Sequence, residues 1–305
     1  MSSAIPKEQR IACPTCQGTG YMSIQIPLGS LSLANITQDP SDRKEMTSIR
    51  HSLERLDSTF CLDTTSISLK NPQEELKHLQ RKLKSVNSVN DDILDALSRI
   101  SEIVKSNPSH ATTTLMATVY RSLSSLLQSR CDQPEALLRL AAEFFEHGRS
   151  AQRPELDKLV LAVLAKSCHK CAGVREAAAR ALAALTGNVS YKPCLRILTS
   201  AQASEHKNPE VRAACAAAVK DLLMTGRVAR DLLAGGHVAD DCRKSVFRTV
   251  ARFLIDGNSA TRTHAKQLIK HLLIHDEFEA LFQQVIEPPL YRMIEKEFVA
   301  LKYSV

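Results

Sequence analysis

The sequence contains no tryptophan, and aromatic residues make up only 4% of its 305 positions. Grooves that hold single-stranded nucleic acid rely on aromatic stacking platforms, and no recognition-helix motif offers another route. Nucleic acid is therefore not an expected partner. Glycine is scarce, with ten residues, and none sits in a phosphate-cradling loop. The GxSxG and HExxH signatures are missing as well. Catalysis thus has no anchor, and a non-enzymatic protein is expected. No apolar run approaches the roughly 18 residues of a membrane span. The opening MSSAIPKEQR lacks a signal-peptide apolar region, so a cytoplasmic protein is expected. In a reducing compartment the nine cysteines stay thiols, most of them as small buried hydrophobes.

What is present is aliphatic: 44% hydrophobic residues, dominated by types that suit helices. The formal charge is +7, and its distribution is uneven. Residues 1–70 hold seven basic and seven acidic side chains, so the whole excess lies after residue 70. A helical domain with that excess either favours an acidic partner or simply stays in solution. The first seventy residues are Ser/Thr-rich and lack sustained periodicity, apart from a short helical stretch at 49–56. They are expected to form a flexible tail, which gives two regions, 1–70 and 71–305.

From Asn71 the pattern changes. Asn71 is a helix N-cap candidate and Pro72 suits the first helical position. Apolar stripes of helical period follow: Leu137, Leu140, Ala141, Phe144 and Phe145, then Leu159, Val160, Val163 and Leu164. Three segments also repeat one another. Residues 173–182 read GVREAAARAL, 210–219 read EVRAACAAAV and 260–269 read ATRTHAKQLI, each with an arginine at its third place: Arg175, Arg212 and Arg262. Second helices of pairs are predicted to start near Asp91, Gln133, Gly173, Glu210 and Ala260. That spacing suits the repeats of about 40–47 residues in HEAT arrays. The last step is long because 225–241 carries extra residues. A sixth pair, with Phe278, Leu281, Phe282, Tyr291, Ile294, Phe298 and Leu301 on its stripe, closes the stack. The predicted fold is all-α: an α-solenoid of about six HEAT-like helix pairs, in which each pair buries its apolar faces against its neighbours.

The segments KCAGVREAAARAL, SEHKNPEVRAACAAAV and DGNSATRTHAKQLIKHLL, with the ending HDEFEALFQQVIEPPLYRMIEKEFVALK, resemble TOG domains. The likeness is strongest to the C-terminal TOG domain of the crescerin-like regulators of axonemal microtubules. It implies a paddle-shaped domain that binds tubulin or microtubules through the turns inside each pair, acting in the cytoskeleton and in the cilium axoneme or basal body. By position those turns are 88–92, 128–132, 168–172, 206–208 and 256–259. The implied partner-binding residues are Asn90, Arg130, Lys170, Arg175, Lys207, Asn208, Arg212, Asn258 and Arg262. The three repeated arginines have a second reading, as bridges to carboxylates or carbonyls between adjacent repeats. The family usually carries a tryptophan in the first turn, where this sequence has Asn90 followed by Asp91 and Asp92. That keeps a second function open, a HEAT scaffold for a protein other than tubulin.

One motif stands apart. Cys13 and Cys16 in CPTCQGTG could grip a metal with two thiolates over a glycine knuckle. The text resembles the CxxCxGxG units of DnaJ-type zinc domains, which use such units in pairs. No cofactor is expected elsewhere, so zinc at this motif, serving assembly, is a third option. A second CxxC pair, Cys168 and Cys171, lies in the third turn. His271 and His275 are four apart on a helix, with at least one expected to face solvent.

Overall fold

Asn71 shows how these helices begin. Its side-chain oxygen accepts the Gln73 amide at 3.2 Å, and Pro72 follows it, where a missing N–H costs nothing. Thr112 accepts the Leu115 amide at 3.3 Å, and Asn208, again followed by proline, accepts the Glu210 amide at 2.9 Å. The computed structural model describes residues 71–84, 90–129, 132–148, 154–234 and 237–304. The predicted tail, its helix at 49–56, Cys13, Cys16 and Arg130 fall outside the described residues. The chain divides into two units, Met1–Lys70 and Asn71–Val305, and every described residue belongs to the second.

Among the described residues the helices are α1 (Pro72–Lys84), α2 (Asn90–Ser106), α3 (Thr113–Gln128), α4 (Pro134–His147), α5 (Glu155–Lys166), α6 (Ala172–Asn188), α7 (Tyr191–Leu198), α8 (Ala201–Ser204), α9 (Pro209–Leu223), α10 (Gly226–Leu233), α11 (His237–Leu254), α12 (Ser259–Leu272), α13 (Asp276–Val285) and α14 (Pro288–Lys302), with a 3-10 turn at Pro108–His110. They form two layers. In one, α1, α3, α5, α7, α11 and α13 follow one another; in the other, α2, α4, α6, α9, α12 and α14 do. Six pairs result, as the stripes predict. The extra residues at 225–241 fold into α10, an inserted helix whose Val228, Ala229, Leu232 and Leu233 are buried. No described helix is long and apolar enough to cross a membrane.

The stripe residues form one continuous core, with Leu281 and Tyr291 half-buried and the rest buried. In α6 and α9 that core is largely alanine: Ala177, Ala178, Ala181, Ala213, Ala216 and Ala218 are all buried. Small side chains let neighbouring helix axes approach. The C-terminal end is filled differently. Phe247 of α11 meets Phe278 edge-on at 5.4 Å, and Phe282 stacks on Phe298 at 5.2 Å. Such ring pairs add about 0.5–1.5 kcal/mol beyond their burial.

Among the described residues, polar links join pairs to their neighbours, as in a one-dimensional array. Lys105 of α2 holds Glu143 of α4 at 2.7 Å, Arg121 of α3 holds Glu155 of α5 at 2.7 Å, and Arg196 of α7 holds Asp157 of α5 at 2.6 Å. Arg252 of α11 pairs with Glu205, and Lys266 of α12 with Glu297 of α14 at 2.6 Å.

Candidate protein-binding edge

The turns inside the third, fourth and fifth pairs share one construction. Each begins with a side chain that accepts the amide two residues on. His169 Nδ1 takes the Cys171 N–H at 3.2 Å, His206 Nδ1 takes the Asn208 N–H at 3.1 Å, and Asp256 Oδ1 takes the Asn258 N–H at 2.7 Å. Six residues after that acceptor stands the repeated arginine, which reaches back over the turn. Arg175 Nη1 donates to the carbonyls of His169 and Lys170, at 2.8 and 3.0 Å. Arg212 Nη1 donates to those of His206 and Lys207, at 2.7 and 3.3 Å. Arg262 Nη1 donates to those of Asp256 and Gly257, at 2.6 and 3.0 Å. All three thus bind carbonyls of their own turns rather than carbonyls of an adjacent repeat. Arg212 alone also crosses to the next repeat, through a bidentate pair with Asp256.

These contacts sort the predicted site residues. Asn208 and Asn258 spend their side-chain oxygens on capping α9 and α12, at 2.9 and 3.1 Å. Arg175, Arg212 and Arg262 shape the backbone. Lys170 and Lys207 occupy equivalent places one residue after the acceptor, and both are exposed. The same place in the fifth turn is Gly257. Asn90 is the first residue of α2. The sequence reading missed the three acceptors, His169, His206 and Asp256. Their signal was available as a constant six-residue spacing in HKCAGVR, HKNPEVR and DGNSATR.

Electrostatics along this edge are mixed. The N-termini of α2, α4, α6, α9 and α12 all open onto it, each a partial positive charge. Asp91 and Asp92 in α2, Glu135 in α4 and Glu210 in α9 offset that charge locally. The first turn of α6 carries no acid of its own. It borrows one instead: Glu135 Oε2 lies 2.9 Å from where a Cβ on Gly173 would be, so the glycine makes room for a neighbour's carboxylate. Asp91 and Asp92 are exposed, and Asp92 pairs with Lys82 at 3.1 Å. Among the described residues of the turns, the exposed lysines lie in the third and fourth. Burial works to raise the Asp256 carboxyl, but the hydrogen bonds from Arg212 and the Asn258 amide, with the charges of Arg212 and Arg262, hold it below its ordinary value. Burial, with the charges of Lys166, Lys170 and Arg175, holds the His169 imidazole below its own.

Other candidate chemistry is accounted for residue by residue. Cys194 and Cys215 are buried hydrophobes, and burial pushes the Cys194 thiol up to about 12. Cys168 Sγ donates to the Ala165 carbonyl at 3.2 Å. His271 and His275 meet edge-on at 6.3 Å, and both are half-buried. Among the described residues no group of three or more His, Cys, Asp or Glu is arranged to hold a metal ion.

No protein-family model matches the sequence, and no curated protein does. Solved structures do. The chain is similar to the "TOG domain structure from C.elegans Zyg9", with a TM-score of 0.51 and 14% identity over 86% of this chain and 97% of that one. It is similar to a chain from "Structural Basis of Tubulin Recruitment and Assembly by Microtubule Polymerases with Tumor Overexpressed Gene (TOG) Domain Arrays", with a TM-score of 0.50 and 14% identity over 90% of this chain and 58% of that one. A match to "Crescerin uses a TOG domain array to regulate microtubules in the primary cilium" has a TM-score of 0.47 and 14% identity over 74% of this chain and 89% of that one.

Proposed function

We propose that this chain, whose fold is that of TOG domains, binds tubulin or microtubules through the edge formed by its intra-pair turns. The observation that carries the reading is the pair Lys170 and Lys207. Both are exposed at equivalent places in consecutive turns, on backbone that Arg175 and Arg212 hold in shape. Lysines presented this way meet an acidic partner without the entropic cost of ordering the loop beneath them. The Zyg9 domain shares the fold, and the structure of TOG arrays with which this chain also aligns concerns tubulin recruitment. On this reading the protein works in the microtubule cytoskeleton, with the cilium axoneme or basal body as its place of action, and it performs no chemistry.

Co-sedimentation with microtubules and size-exclusion chromatography with free tubulin, at low and moderate salt, test the reading. Lys170→Glu combined with Lys207→Glu should weaken binding by about tenfold or more, roughly 1.4 kcal/mol. The loss should shrink as salt screens the edge. Absence of binding to either form at micromolar protein would sink the proposal.

A second reading has its own support. Asp91 and Asp92 are exposed at the first turn, where they face an acidic partner unfavourably. They favour a HEAT scaffold that holds another protein. Asp91→Asn with Asp92→Asn separates the two: stronger tubulin binding supports the first reading, and unchanged absence of binding supports the second.

A further inference from the structure

The third turn carries two thiols that its construction does not need. Cys168, His169, Lys170 and Cys171 stand where the fourth turn has Glu205, His206, Lys207 and Asn208, and where the fifth has Ile255, Asp256, Gly257 and Asn258. All three turns close through the same kind of side-chain acceptor and the same arginine. Asn208 and Asn258 also cap the helices that follow them. Cys171 holds the same N-cap place on α6, yet it makes no side-chain cap hydrogen bond. Helix α6 therefore goes without a cap that both its successors have, and a sulfur stands there instead. The other thiol, Cys168, donates to the Ala165 carbonyl, back toward α5.

Both thiols are half-buried, whereas Cys194 and Cys215 are fully covered, so a small oxidant has access to this pair. Their closeness in the chain makes each an intramolecular reagent for the other. No third His, Cys, Asp or Glu joins them among the described residues, which leaves too few ligands for zinc. We propose that Cys168 and Cys171 form a reversible disulfide, and that the bridge releases the third turn from Arg175 and moves Lys170. Glutathione disulfide takes the electrons. The Cys171 thiolate attacks one of its sulfurs, and one glutathione leaves as a thiolate. The Cys168 thiolate then attacks Cys171 Sγ in the mixed disulfide, and the second glutathione leaves. The two cysteines lose two electrons, the glutathione disulfide gains them, and the two thiol protons end on the two glutathiones. A disulfide holds its Cα atoms about 4.4–6.8 Å apart, with their side chains converging. To reach Cys171, Cys168 Sγ gives up the Ala165 carbonyl. The residues caught inside the closed loop are His169 and Lys170, whose carbonyls Arg175 holds at 2.8 and 3.0 Å. The consequence for binding rests on the tubulin reading above: oxidation takes Lys170 out of line with Lys207, whose turn has no thiol to bridge.

The experiment exposes the full chain to glutathione disulfide, quenches it with acid and maps its tryptic peptides by mass spectrometry. Cleavage after Lys166, Lys170 and Arg175 should release 167–170 and 171–175 joined by one disulfide, and excess reduced glutathione should separate them. Hydrogen exchange should rise at the amides of 169–175 in the oxidised chain and stay unchanged at 206–212. In co-sedimentation the oxidised chain should bind microtubules at least about threefold more weakly than the reduced one. Cys168→Ser with Cys171→Ser should bind alike with and without the oxidant. Glutathione adducts without a bridge, a bridge to any other cysteine, or a bridge between two chains overturns the proposal. So does a bridge that leaves hydrogen exchange across the turn unchanged. Reduced and oxidised chains that bind microtubules equally overturn the effect on the edge. Failure of the reduced chain to bind sinks the tubulin reading alone, because the peptide map and the exchange are read without tubulin.

Discussion

Arg212 takes the carboxylate of Asp256 from two sides, with Nε 2.6 Å from Oδ2 and Nη2 3.0 Å from Oδ1, while its Nη1 holds two carbonyls of its own turn. One side chain thereby ties the fourth turn to the fifth. The two side chains are only 19% and 11% exposed, so the pair is shielded from water far more than the surface ion pairs of the array. Arg212→Ala should destabilise the protein by about 2–4 kcal/mol, because it strands a half-buried carboxylate and frees two carbonyls. Asp256→Ala should cost a similar amount, and the double variant less than the sum. Urea denaturation of the three variants measures the coupling; strict additivity would show that the two turns are not linked through this pair.

Thr261 occupies the place that Val174 and Val211 hold in the two preceding repeats. It is completely buried, and its hydroxyl has no hydrogen-bond partner among the described residues. Thr261→Val keeps the shape and removes an orphaned polar atom. The variant should be more stable by about 1 kcal/mol, read as a higher urea midpoint at unchanged slope. The capping bond from the Thr261 amide to Asn258 is untouched.

Gly257 stands where the third and fourth turns place lysine. A Cβ there meets nothing within 4 Å, and the backbone is not in the left-handed region. Gly257→Lys should therefore fold without strain and gain about 0.4–1 kcal/mol from the stiffer unfolded chain. It should tighten tubulin binding several-fold at low salt by completing a three-lysine row. Affinity that stays flat in a co-sedimentation titration, alongside the expected stability, would show that the fifth turn lies outside the contact.

Acid should loosen these turns in two stages. His169 is partly buried and sits among the charges of Lys166, Lys170 and Arg175, so the folded state favours its neutral form and holds its pKa down. Its contribution is complete above the unfolded value of about 6.5 and is lost as pH falls from there through the folded value. Asp256 is also held down, so its contribution persists to lower pH and is lost below the ordinary carboxylate range. Thermal melts from pH 8 to pH 3, as rough limits around these values, should show both losses. His169→Asn, which keeps an acceptor and cannot titrate, should flatten the first and spare the second.

Much of the solenoid is readable from residues alone. Asn71-Pro72 and Asn208-Pro209 announce helix starts by capping chemistry, and the apolar stripes need only a period of 3.6 to be assigned a buried face. Helix α10 was harder. Its eight residues, GRVARDLL, carry a clear apolar pair of turns, yet a helix that short is not stable alone and exists because α9 and α11 cover it. The roles of the arginines were legible only as alternatives. Composition offers Arg175, Arg212 and Arg262 equally to a partner or to a bridge between repeats, and the carbonyls they bind in their own turns follow from the backbone path, which composition does not show.

The buried alanines of α6 and α9 bear on more than packing. Lys170 and Lys207 ride on turns clamped by arginine at the heads of these two helices, so the distance between the charges is inherited from the distance between the helix axes. The size of the buried side chains, alanine at Ala178 and Ala216, is one term that sets such a distance within the roughly 8–10 Å range for packed helices. The core of this protein thus works as a ruler for its rim: a methylene added at Ala178 or Ala216, far from any partner, would redraw the scale on which the two charges are marked.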